Sequence, residues 1–131
     1  MDPKLRRLFD EQLDVALAEM PQQVHDLLGK VPMVVEDYPS AEVMRKMRLR
    51  HRSSLCGLYT GIPLTRRSIN DWGVPSDVIH VFRQGILSSI GGMRNEIDPA
   101  DLRQQIRITI LHELGHHHGM TEGELRELGY G

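Results

Sequence analysis

The stretch that most limits what this chain can fold into is DPADLRQQIRITILHELGHHHG, residues 98–119. It opens with three signals for a helix start. Asp98 can cap, Pro99 suits the first helical position, and Asp101 stands at the positive end of the helix dipole. Leu102, Ile106, Ile110 and Leu114 then recur at four-residue steps, an apolar face that runs on through a cluster of histidines. Gly119 can take the positive φ that stops a helix and turns the chain back. A helix over 98–118 is expected, with an apolar side that needs a partner layer.

The rest of the chain supplies that layer. Leu5, Leu8, Phe9, Leu13, Ala16, Leu17 and Met20 have helical spacing, and Pro21 divides this helix from a second one, PQQVHDLLGK, that Gly29 can end. VPMVVED (31–37), SLCGLYTG (54–61) and DVIHVFR (77–83) read as three strands. SAEVMRKMRLRHR (40–52) reads as a loop or short helix, LTRRSINDWGVPS (64–76) as a long functional or hairpin loop, and QGILSSIGG as a short helix before Gly91-Gly92. A short last helix is expected in TEGELRELG. Helices, then strands, then one late helix make an α+β layout in a single domain over 1–131.

With 131 residues, 40% of them hydrophobic, the chain can bury one core, and its charged residues nearly balance at a net of −2. That balance gives no global reason to expect nucleic acid or an anionic membrane as partner. The N-terminus, MDPKLRRLFDEQ, lacks the apolar core of a signal peptide, and no apolar run approaches the roughly 20 residues of a membrane span. One cysteine, Cys56, excludes an internal disulfide and fits a reducing compartment. A cytoplasmic protein is expected.

Four of the seven histidines fall in HELGHHHGM, residues 112–120. Four residues of α-helix turn through about 400°, so His112 and His116 leave one face and can reach one ion. Glu113, next to the first of them, is placed to act as general base without being a ligand. This is the HExxH pattern of zinc hydrolases. After the turn at Gly119, Glu122 stands where a returning segment brings a third ligand. HELGHHHGMTE thus has the form HExxHxxGxxE and resembles the extended motif of metzincin-type proteases, with glutamate in the third place. One zinc per chain, held by His112, His116 and Glu122, is the expected cofactor. Glu124 reads as a solvent-exposed charge on the last helix, and is the natural substitute should Glu122 not ligate. His117 and His118 point away from the shared face, one expected to be packed or hydrogen-bonded and the other solvated. An exposed polar helix end, its histidines facing the negative end of the dipole, is the bland alternative, but it explains neither Glu113 nor the Gly119–Glu122 spacing.

The chain resembles the small bacterial zincin-like proteins often called minimal metallopeptidases. The resemblance covers VVEDYPS, LCGLYTGIPLTRRS, DVIHVFR and ILHELGHHHGMTEGELRELGYG. It implies a reduced zincin fold, a small mixed sheet beside the active-site helix, and zinc-dependent peptidase chemistry carried by His112, Glu113, His116 and Glu122 on a peptide or protein substrate. Only 12 residues follow Gly119 in the 131-residue chain. That is too few for the subdomain forming the lower cleft wall of large zincins, or for a Met-turn. The expectation is weak or restricted activity, with a second copy of the chain as the way to complete the cleft.

Two other function classes compete. A zinc endoribonuclease of the rRNA-maturation kind also spaces His, His and a third ligand in steps of four and six, and RKMRLRHR (45–52) can hold phosphates; Glu113 argues against it. A zinc-bearing binding module without turnover is the third reading. The cationic run is otherwise a solvated loop, Cys56 a small buried hydrophobe, and Trp72 a cover for the core or a cleft residue. Tyr59 and Tyr130 are candidate oxyanion donors, more readily read as structural. Glu127 is a solvent-exposed charge. The groove edge is expected at strand 55–60 or strand 78–82, since peptides bind by adding a strand to such edges.

Overall fold

A computed structural model describes residues 1–61, 77–92, 94–127 and 129, without the side chain of Leu125. The loop reading of 64–76, with Trp72, and the candidate Tyr130 lie outside the described residues. Helix α1 (Pro3–Ala18) starts where the Asp2 carboxylate accepts the Lys4 N–H, and it buries Phe9, Leu13 and Ala16. Helix α2 (Gln22–Leu28) follows Pro21 and closes at Gly29. Strand β1 (Met33–Glu36) comes next, then a short helix α3 (Ala41–Lys46) capped by Ser40, in the stretch read as loop or short helix. Strands β2 (Gly57–Thr60) and β3 (Val78–Phe82) lead into α4 (Arg83–Ser89). The long helix α5 (Pro99–His117) and the short α6 (Glu122–Glu127) complete the described chain.

The three strands form one mixed sheet in the order β1-β3-β2. β1 runs parallel to β3, pairing Met33 with Ile79 and Glu36 with Phe82. β2 runs antiparallel, pairing Gly57 with Val81 and Thr60 with Val78. The fold is α+β, as its sequence order implies. One expectation is corrected: strand 78–82 cannot be a groove edge, because hydrogen bonds to β1 and β2 occupy both of its sides. Its fully buried Ile79 and Val81 suit that central position.

The core lies between α1, α5 and the sheet. Phe9, Leu13 and Ala16 meet Leu102, Ile106, Ile110 and Leu114, with Ile79, Val81, Ile86 and Leu87 closing the cluster. Asp98 caps α5 by accepting the Ala100 N–H at 2.9 Å. An ion-pair network fastens the far side. Asp37 accepts two bonds from Arg6 (3.1 and 2.6 Å) and one from Arg83 (3.0 Å), while Arg83 also donates to Asp10 at 2.9 Å. Those contacts hold α1 and the start of α4 against the end of β1. No helix among the described residues is long and apolar enough to cross a membrane.

Candidate metal centre and its cleft

The end of α5 builds the site. Gly119 has φ +84°, and the Gly119 N–H donates to His116 O (2.9 Å) while the Met120 N–H donates to Gly115 O (3.0 Å). These two bonds form a Schellman stop, which a left-handed glycine allows without a Cβ clash. The chain then reverses into α6. Thr121 and Glu124 bond reciprocally, Thr121 N–H to Glu124 Oε1 and Glu124 N–H to Thr121 Oγ1, both at 3.2 Å. This capping box places Glu122 in the first turn of α6, facing back to the histidines. It gives Glu124 a capping role, while Glu122 is the glutamate that lies with the two histidines. The pattern T-x-x-E in TEGE carries this signal in the sequence.

Three donor atoms converge. His116 Nε2 lies 2.8 Å from Glu122 Oε1 and 3.1 Å from His112 Nε2, and His112 Nε2 lies 3.3 Å from Glu122 Oε1. Ligands bound at about 2.0–2.2 Å to a tetrahedral zinc stand roughly 3.3 Å from one another, so these edges are close to what the ion requires. Two imidazoles and a carboxylate are a zinc-type donor set. A fit is also visible one shell out. His116 Nδ1–H donates to the Met120 carbonyl at 3.2 Å, which leaves the Nε2 lone pair pointing at the other two donors. His112, His116 and Glu122 form the metal-capable group found among the described residues.

Glu113 is close but separate. Its Oε2 is 3.8 Å from His112 Nε2, and the residue is buried where Glu122 is exposed. Burial pushes the Glu113 carboxyl above its ordinary range; His112, His116 and the Tyr59 backbone N–H pull it partly back. Burial alone would raise Glu122 too, but the charges and hydrogen bonds of His112 and His116 outweigh it and hold that carboxyl below its usual range. The two neighbouring glutamates are thereby shifted in opposite directions, Glu113 up and Glu122 down.

A second buried face of α5 is what the sequence reading missed. Thr109, Glu113 and His117 follow each other at four-residue steps, and all three are buried. They face β2. The close approach depends on Gly57, where a Cβ would stand 2.8 Å from Thr109 Cγ2 and 3.1 Å from Glu113 Cγ. The Thr109 hydroxyl is satisfied within the helix, donating to Gln105 O at 2.9 Å. At the other end of the stripe Asp77, 3% exposed, accepts at Oδ2 from both His117 Nδ1–H and the Tyr59 hydroxyl, each at 2.6 Å. His117 is thus the packed histidine and His118 the exposed one. The Tyr59 hydroxyl donates to Asp77, in keeping with the structural reading of that residue. Asp77 itself had no motif to announce it; a lone aspartate before a strand is common.

Cys56 lies just before β2 and is half-buried, and burial pushes its thiol above the ordinary value, which suits a packing role. An open pocket of about 500 Å³ covers the donor atoms, lined by β2 residues Gly57, Leu58 and Tyr59, by the Gly119–Glu122 turn, and by Met47 and Leu55.

A family model described as zincin-like metallopeptidase matches residues 28–131. The chain belongs to the zincin-like metallopeptidase family. The matched range contains β1, β2, β3 and both helices of the metal centre, leaving out α1 and most of α2. The family implies zinc, and the donor set described above fits that ion. No curated protein matches the chain.

Proposed function

We propose that this zincin-like protein is a zinc-dependent peptidase in which His112, His116 and Glu122 hold the metal and Glu113 is the general base. The observation that carries the reading is the convergence of three donor atoms within 3.3 Å, beside a buried carboxylate that is not one of them. Zinc, when bound, supplies a Lewis acid that lowers the pKa of a water and polarises a carbonyl. The remaining work falls to the chain. Glu113, with its proton affinity raised by burial, takes the proton of the attacking water and returns it to the leaving amine. The Tyr59 N–H holds the carboxylate in place. β2, at the edge of the sheet among the described residues, offers backbone groups to an extended substrate, and Leu58, Met47 and Leu55 give the pocket apolar contacts beside them.

Two substitutions separate the roles. Glu113→Gln should retain zinc, measured by elemental analysis, while hydrolysis of a peptide panel falls by about 10²–10⁴. Glu122→Gln should weaken zinc binding and remove the gain in thermal stability that zinc gives the native protein. The reverse pattern would overturn the assignment. Zinc binding with no peptide cleaved by the native chain would instead establish a binding module, and cleavage of RNA alone a nuclease.

A further inference from the structure

The cationic segment after α3 takes no part in the chemistry above, yet both of its ends stand on the cleft wall. Met47 and Leu55 line the pocket. Residues 48–54 join them, so none lies more than four positions from a lining residue, at most about 14 Å of extended chain. Arg48, Arg50, His51 and Arg52 in this segment are exposed. Two cations of the wider run are already engaged: Lys46 pairs with Glu42 at 3.1 Å, and Arg52 stacks over the Tyr38 ring at 4.5 Å. Arg48 and Arg50 have no side-chain partner among the described residues.

Arg48 is further marked by its backbone. It has φ +55°, and among the described residues it is the non-glycine residue with positive φ. The Leu49 N–H donates to Met44 O at 2.9 Å, so Arg48 fills the left-handed position after α3 where glycine is the ordinary choice. An arginine there costs stability relative to glycine. Arg48 is exposed and follows directly on Met47, which lines the pocket. Met47 beside it is 46% exposed, a large adaptable apolar side chain at the mouth of the pocket.

We infer that this rim selects acidic peptides: an apolar side chain seats against Met47, Leu55 and Leu58, and neighbouring carboxylates pair with Arg48 and Arg50. The selection rests on the peptidase reading for its consequence in turnover, but not for the binding itself. Carboxylates on a peptide are favoured over phosphates on RNA because the cations lie in a segment whose ends, Met47 and Leu55, line a pocket that strand β2 borders, a setting for an extended peptide.

The test uses the full zinc-loaded chain with Glu113→Gln, so that bound peptides are not consumed. Fluorescent decapeptides carrying one leucine flanked by Glu and Asp are compared with the same peptides carrying Gln and Asn. Anisotropy at about 50 mM salt should give the acidic peptides about tenfold tighter binding, shrinking towards parity near 500 mM. Adding Arg48→Gly and Arg50→Gln should abolish the preference while zinc content and melting temperature are kept, since glycine suits the backbone at 48. Equal binding of both peptide sets, or a preference that survives the two arginine changes, overturns the inference. So does an RNA oligonucleotide that binds more tightly than the acidic peptides through the same arginines. Hydrolysis by the native chain is measured in parallel. Charge-selective binding without hydrolysis would sink the peptidase reading and leave the selectivity standing, whereas hydrolysis without charge selection would do the opposite.

Discussion

Helix α5 has two buried faces that do different work. Leu102, Ile106, Ile110 and Leu114 pack against α1 and the sheet, and none of them carries a polar atom that needs a partner. Thr109, Glu113 and His117 pack against β2, and each brings polar groups that must be satisfied where water is scarce. The first face stabilises by area removed from water and tolerates rearrangement. The second stabilises little by area. Its gain is position, since Gly57, Tyr59 and Asp77 fix how deep the helix sits against the strand that borders the cleft. Among the described residues no buried side-chain nitrogen or oxygen lacks a partner. Such a stripe is sensitive to one-atom changes in a way the apolar face is not.

Substitutions can break this contrast, and the largest loss of stability should come from the apolar face. Ile106 is 0% exposed, and Ile106→Ala should cost about 2–5 kcal/mol in chemical denaturation. The cost should be the same with and without zinc, and hydrolysis at a permissive temperature should persist. A zinc-dependent loss would show that the two faces are not separate.

Asp77→Asn comes next. It keeps the volume but removes the charge that accepts from His117 and Tyr59, a loss of about 1–3 kcal/mol at a buried site. Here catalysis should suffer beyond stability: kcat should fall while zinc content holds, because β2 carries the Tyr59 N–H that braces Glu113. Unchanged kcat would make the Asp77 cluster a purely structural device.

Gly57→Ala puts a methyl 3.0 Å from the His80 carbonyl oxygen as well as against Thr109, so β2 and α5 must part slightly. A cost of about 1–3 kcal/mol is expected, with catalysis impaired in the same sense as for Asp77→Asn. If the added methyl leaves both stability and turnover intact, the close approach is not needed.

The smallest effect belongs to the ion-pair network, remote from both faces. Arg6, through its hydrogen bonds and charge, holds the Asp37 carboxyl below its usual range, with Arg83 adding to it. A depressed carboxylate stabilises the folded state above its unfolded pKa of about 3.9, and that contribution is lost as pH falls through the folded value. Native protein should therefore exceed Asp37→Asn in stability at pH 7 by a small margin that closes below about pH 4. A difference that grows on acidification would reverse the assigned sign.

How much of this was legible in the sequence follows from the kind of interaction involved. Helix α5, its Asp98 cap, its apolar face and the Gly119 stop are local, each written in residues a few positions apart, and the structure has them where the spacing put them. The strands were legible as apolar runs, with ends shifted by one to three residues. The spacing of His112, His116 and Glu122 is local as well, since a helix and a tight turn bring them together without help from the rest of the chain. The T-x-x-E capping box is equally local, written in residues three positions apart. By contrast, Asp77 meets His117 across 40 residues and Tyr59 across 18. No periodicity encodes such a meeting, because it depends on which strand lies at the centre of the sheet. The same holds for the groove edge. Two strands had equal claims in sequence, and only the order β1-β3-β2 leaves β2 bordering the cleft. The sequence by itself therefore determined the helix, its metal-capable turn and the family. The tertiary structure decided what packs against Glu113, which strand lies at the centre of the sheet, and that Asp77 meets His117 and Tyr59, because those depend on contacts between segments that only packing brings together.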